Sequence, residues 1–81
     1  MFERLKKQAE AAKDSNQIPE AMRLYQQILA QKPDWAEGWW YLGTLRYEAD
    51  EYAPAAKAFS RFTALEPGNG HGWAMLGLCQ F

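Results

Sequence analysis

Shifted by 34 residues, the chain matches itself. Of the 47 pairs compared at that offset, eight are identical: Glu3/Glu37, Ala21/Ala55, Ala30/Ala64, Pro33/Pro67, Gly38/Gly72, Trp39/Trp73, Leu42/Leu76 and Gly43/Gly77. Composition alone would give about three or four, and a fixed period of about 20 to 50 residues marks an array of stacked supersecondary units. Other pairs keep size or chemistry, including Arg23/Lys57, Tyr25/Phe59, Ile28/Phe62, Ile18/Tyr52, Leu5/Trp39 and Tyr47/Phe81, while Ala9/Gly43 keeps a small residue. The 81 residues therefore read as a single domain: repeat 1 over about 2–35, repeat 2 over about 36–69, and a partial repeat 3 over about 70–81.

Each unit carries the apolar spacing of two amphipathic helices. In repeat 2, Trp39, Leu42, Gly43 and Arg46 recur at i, i+3, i+4 and i+7, and Tyr52, Ala55, Ala56, Phe59 and Phe62 follow after a break at Ala49-Asp50-Glu51. In repeat 1, one helix is predicted from about Phe2 to Asp14 and another from about Ile18 to Gln31, which Pro33 ends. The turn residues Asn16 and Asp50 are 34 apart, and both types tolerate the left-handed backbone of a tight corner. Pro19 and Pro54 fall in the opening turns of the second helices, where a missing N–H costs little. No alternating run is long enough for a strand, and the fold class expected is all-α.

Trp39-x2-Leu42-Gly43, Ala55-x3-Phe59 and Pro67 resemble the tetratricopeptide repeat, whose 34-residue pattern is W-x2-L-G-x2-Y, A-x3-F, P. Ala21-x3-Tyr25 with Pro33, and Trp73-x2-Leu76-Gly77, repeat parts of that pattern in register, so the resemblance covers the whole chain. It departs at Arg46 and Gln80, where the pattern has Tyr, at Phe62, where the family usually has a small residue, and at Gln8, where it has Leu. The opening helix of repeat 1 is accordingly expected to be the more solvated. The resemblance implies an α-α superhelix of antiparallel helix pairs. In this reading Trp39, Tyr25, Phe59 and Trp73 fill the spaces between helices, and Gly43, Gly77, Ala21 and Ala55 let them approach.

A second stripe on the first helix of repeat 2, formed by Glu37, Trp40, Tyr41, Thr44, Tyr47 and Glu48, is offset from the core stripe. The resemblance implies that it lines a concave groove for a partner peptide or subunit. Glu3, Lys6, Lys7, Glu10, Lys13 and Asp14 occupy the corresponding face before it, and His71, Ala74, Met75, Leu78 and Phe81 the face after it. Trp40, Tyr41 and Tyr47 are the expected anchors, since aromatic side chains dominate interface hot spots. Some members of the family hold a terminal carboxylate in a clamp of Lys, Asn and Arg. Only Lys6 matches that clamp here; Glu10, Tyr41, His71 and Met75 take its other places, and binding of that type is not expected.

Charge and cysteine usage narrow the function further. The formal net charge is −1, and the first 34 positions hold six basic and five acidic residues, without the basic stripe that a phosphate backbone requires. Nucleic acid is not an expected partner. Cys79 is the one cysteine, so neither an internal disulfide nor a cysteine-based zinc site is expected, and a reducing, cytoplasmic setting is compatible. The longest apolar window, 73–79, falls far short of the roughly 20 residues a membrane span needs.

His71 has no Ser, Cys or acid spaced to make a dyad, Gly68-Asn69-Gly70-His71-Gly72 lacks the strand and the Lys-Ser/Thr of a phosphate loop, and Asp50-Glu51 reads as solvated turn residues. No enzyme activity, cofactor or metal is expected. The partial third repeat is apolar on several sides, which suggests a piece of a longer repeat protein. Self-assembly into oligomers through residues 70–81 is the alternative to a binding module.

Overall fold

The computed structural model describes residues 2–79. Among them all regular structure is helical: α1 (Phe2–Asp14), α2 (Ile18–Gln31), α3 (Ala36–Glu48), α4 (Tyr52–Leu65) and α5 (Gly70–Cys79). The predicted bounds of α1 and α2 are met, and α3 and α4 begin and end 34 residues after them. Gln80 and Phe81, placed by their spacing on the third repeat's helix, lie outside the described residues.

The repetition extends to the backbone. Asn16 and Asp50 both adopt the left-handed conformation, with φ of 60° and 63°. The Asn16 N–H donates to Lys13 O and the Gln17 N–H to Ala12 O; the Asp50 N–H donates to Tyr47 O and the Glu51 N–H to Arg46 O. These are the paired hydrogen bonds of a Schellman motif, which satisfies the last carbonyls of a helix and reverses the chain within three residues. Each helix pair thus folds back as an antiparallel hairpin. The longer connections repeat as well, because the Trp39 indole N–H donates to Pro33 O at 2.8 Å and the Trp73 indole N–H to Pro67 O at 3.0 Å.

Extensive packing joins each helix to the next along the chain: α1 to α2, α2 to α3, α3 to α4 and α4 to α5. Tyr25 and Phe59, 34 apart, are both fully buried, as are Ala21 and Ala55. In α1 only Ala9 and Ala12 are buried, and Gln8 is exposed. That helix therefore contributes small residues and leaves the larger ones to α2.

Close approach is needed at Gly43 and Gly72. A Cβ added to Gly43 would lie 2.9 Å from the Phe59 ring, and one on Gly72 would lie 2.6 Å from the Phe62 ring. Gly77 differs, since a Cβ there meets nothing within 4 Å. Trp73, expected as filling between helices, is 53% exposed. Both differences have one cause. α3 has α2 on one side and α4 on the other, whereas α5 packs extensively only on α4 among the described residues.

Gly43→Ala is expected to destabilise by about 1–3 kcal/mol, the usual penalty for forcing a methyl group into a packed site. Gly77→Ala is expected to be neutral or stabilising by up to about 1 kcal/mol, because Ala is the better helix former. Urea denaturation of the two variants measures the difference.

Candidate functional site

Two of the four aromatic side chains on α3, Trp40 and Tyr41, line a cleft beside its N-terminal half. Trp40 is half-buried and packs its ring on Phe59 and Phe62 of α4, with centroids 5.4 and 5.2 Å apart. Tyr41 is half-buried against Tyr25 of α2 at 5.5 Å, and Lys13 Nζ of α1 lies 4.7 Å from the Tyr41 ring centre. The exposed parts of both rings, together with Phe62, floor a cleft of about 360 Å³. Ala36 and Glu37 from the start of α3, Glu66 from the end of α4, and Asn69 and His71 at the start of α5 complete it. Asn69 is fixed there because its side-chain oxygen accepts the His71 backbone N–H at 3.0 Å, an N-cap for α5.

The structure brings Glu37, Trp40, Tyr41 and His71 together in this cleft and separates Thr44, Tyr47, Lys6, Lys13, Met75 and Leu78 from its lining. Thr44 Oγ1 donates to Trp40 O at 2.8 Å and is occupied within its own helix. Tyr47 lies at the far end of α3, edge-on to Tyr52 at 5.3 Å. Lys6 sits beside Phe2 and Trp35, its Nζ 6.0 and 5.8 Å from their ring centres. Lys13 reaches the cleft only through the Tyr41 ring, and also pairs with Asp14 at 3.9 Å. Met75 is half-buried on α5 and Leu78 is 55% exposed, and neither lines the cleft.

Ala36, Phe62, Glu66 and Asn69 are the residues that sequence spacing did not mark for the site. Phe62 stands out in sequence only as a large residue where the repeat pattern has a small one. Asp50 and Glu51, read as solvated turn residues, are engaged at the corner: Asp50 Oδ1 accepts the Tyr52 hydroxyl at 2.8 Å, and Glu51 pairs with Arg46 at 3.1 Å.

Beneath this face lies the fully buried Tyr25, whose hydroxyl finds no hydrogen-bond partner among the described residues. Burial pushes its pKa well above the usual tyrosine value, and the nearby Glu10, Tyr41 and Asp14 add to the shift. Among the described residues no group of three or more His, Cys, Asp or Glu is placed to hold a metal ion, and no helix is long and apolar enough to cross a membrane. No protein-family model matches the chain.

Tyr25→Phe is expected to be neutral or stabilising, because it removes a buried polar group that has no partner. The tyrosine also predicts alkaline sensitivity. Above the ordinary tyrosine pKa of about 10 the unfolded chain loses this proton before the folded chain does, so stability falls as pH rises. Denaturation at pH 8 to 11 is expected to show a shallower loss in Tyr25→Phe than in the parent. Tyr52, held up by its hydrogen bond to Asp50, and Cys79, raised by burial, add to the loss.

Proposed function

We propose that this chain is a protein-interaction module of the tetratricopeptide type, whose α1, α3 and α5 side presents a groove for an extended peptide of a partner protein. The observation that carries the reading is the cleft floored by Trp40, Tyr41 and Phe62. Three aromatic rings from two helices line it, Trp40 and Tyr41 partly open to solvent and Phe62 buried beside Trp40. Rigid rings of this kind supply large contact area at little entropic cost, which is the character of an interface anchor. The internal repetition of helix bounds, corner geometry and Trp-to-Pro hydrogen bonds supports the repeat type. The role is non-catalytic in this reading: the thiol of Cys79 is raised by burial, opposite to what a nucleophilic thiolate needs. The groove lacks the complete set of basic and amide side chains that would clamp a terminal carboxylate.

A second reading, assembly through α5, has its own observation. The ten residues of α5 include no Asp, Glu, Lys or Arg, yet Trp73 and Leu78 are 53% and 55% exposed. A helix without a charged face is ordinarily covered.

Decapeptides selected from a random display library on the immobilised chain test the first reading. Affinity is expected to fall at least about tenfold in Trp40→Ala and less in Tyr47→Ala, with helicity retained by circular dichroism. Unchanged affinity in Trp40→Ala would count against the groove. Sedimentation equilibrium on the same samples separates the second reading, which requires the mass to rise with concentration.

A further inference from the structure

The site equivalent to the cleft, one repeat earlier, is already occupied by the chain itself. There Phe2 meets Trp35 edge-on at 5.2 Å, and two ammonium groups lie over the rings: Lys32 Nζ is 5.0 Å from the Phe2 ring centre, and Lys6 Nζ is 6.0 Å from it and 5.8 Å from that of Trp35. Thirty-four residues on, Phe2 becomes Ala36, Lys6 becomes Trp40, Lys32 becomes Glu66 and Trp35 becomes Asn69. The backbone at the two positions is the same, since Lys32 and Glu66 are the C-caps of α2 and α4 with φ of −129° in both, each donating its N–H to the carbonyl four residues back. What repeat 1 fills with an aromatic ring and two cations, repeat 2 leaves as an open cleft with an aromatic floor and a carboxylate.

We propose that this cleft binds the cationic side chain, Lys or Arg, of the partner peptide. The inference rests on the peptide-groove reading and names the chemistry that the groove selects. Three features carry it. The Ala36 position lacks the ring that fills its counterpart, which makes room. Trp40 and Phe62 supply ring surfaces, and aromatic faces attract ammonium and guanidinium groups through the ring quadrupole. Glu37 and Glu66 rim the cleft, no lysine or arginine lines it, and neither carboxylate has an ion-pair partner among the described residues. The one face of Tyr41 that does have a cation over it, that of Lys13, shows the same pairing made within the chain. Glu66 also stands at a helix C-terminus, where the dipole favours a cation such as the equivalent Lys32. Local helix stability therefore does not account for a carboxylate at this position.

Two probes of matched shape test the proposal by NMR titration of the full chain: N-acetyl-lysine methylamide and its uncharged counterpart, N-acetyl-norleucine methylamide. The lysine compound is expected to shift the Trp40 indole N–H and the Glu66 amide, and to bind about tenfold tighter than the norleucine compound. That preference is expected to vanish in the double variant Glu37→Gln, Glu66→Gln and in Glu66→Lys, which restores the charge of repeat 1 and suits the helix C-terminus. Equal binding of the two compounds, or a preference that survives both variants, overturns the proposal. Decapeptide pools with Lys or norleucine fixed at the centre separate it from the underlying reading. If both pools perturb the cleft equally, the peptide groove stands and cation selection falls; if neither pool nor the lysine compound does so, both fall.

Discussion

Every helix here buries its apolar face chiefly against the helices beside it in sequence, and that constraint organises the rest of the structure. Such packing requires each reversal to be tight and each interface to be close. The first requirement is met by Asn16 and Asp50 in left-handed conformation, each completing a Schellman motif without glycine. The second is met where Phe59 lies over Gly43 and Phe62 over Gly72, contacts that leave no room for even one more methyl group. The Phe62 contact has a further effect. By seating its ring against α5, it places the same ring in the floor of the cleft beside Trp40.

The two repeats share a scaffold and differ in what they display. Their helices, corners and loop hydrogen bonds superpose at an offset of 34 residues, so side-chain differences between equivalent positions account for differences in surface. Repeat 1 covers its aromatic surface with its own lysines, at 5.0 to 6.0 Å from the ring centres. Repeat 2 places a small residue and a carboxylate at the equivalent positions, and a cleft results. Scaffold and recognition are in this way carried by different residues: small and aromatic ones at the interfaces, charged ones around the opening.

Much of the architecture was legible in the sequence because its determinants are local and periodic. Proline and glycine positions, the polar corner residues and the spacing of apolar side chains gave the helix bounds of repeat 1 to the residue. The burial of Trp73 was not legible in the same way. A periodic pattern assigns Trp73 the role of Trp39, yet burial depends on a neighbouring helix, and α5 packs extensively only on α4 among the described residues. The site was half legible. The offset stripe found Glu37, Trp40 and Tyr41, and its equivalent on the third repeat found His71, but Ala36 lies off the stripe and Phe62, Glu66 and Asn69 come from the end of α4 and the start of α5, which no single-helix stripe joins. Thr44 and Tyr47 lie on the stripe and still leave the cleft, one turned into its own helix and the other against Tyr52. The charge exchange between Lys32 and Glu66 was visible in the aligned repeats; its meaning needed the position of the Phe2 ring.

Nearest-neighbour packing makes a direct demand on local stability, since a stack of this kind opens from helices that have one neighbour before those that have two. Native-state hydrogen exchange on the 81-residue chain measures it residue by residue. The predicted result is slowest exchange for buried amides of α3 and α4 around Leu42, Leu45, Ala58 and Phe59, with α1 and α5 exchanging through lower-energy openings. Protection of α5 equal to that of α3, rising and falling with it as denaturant is added, would contradict the account.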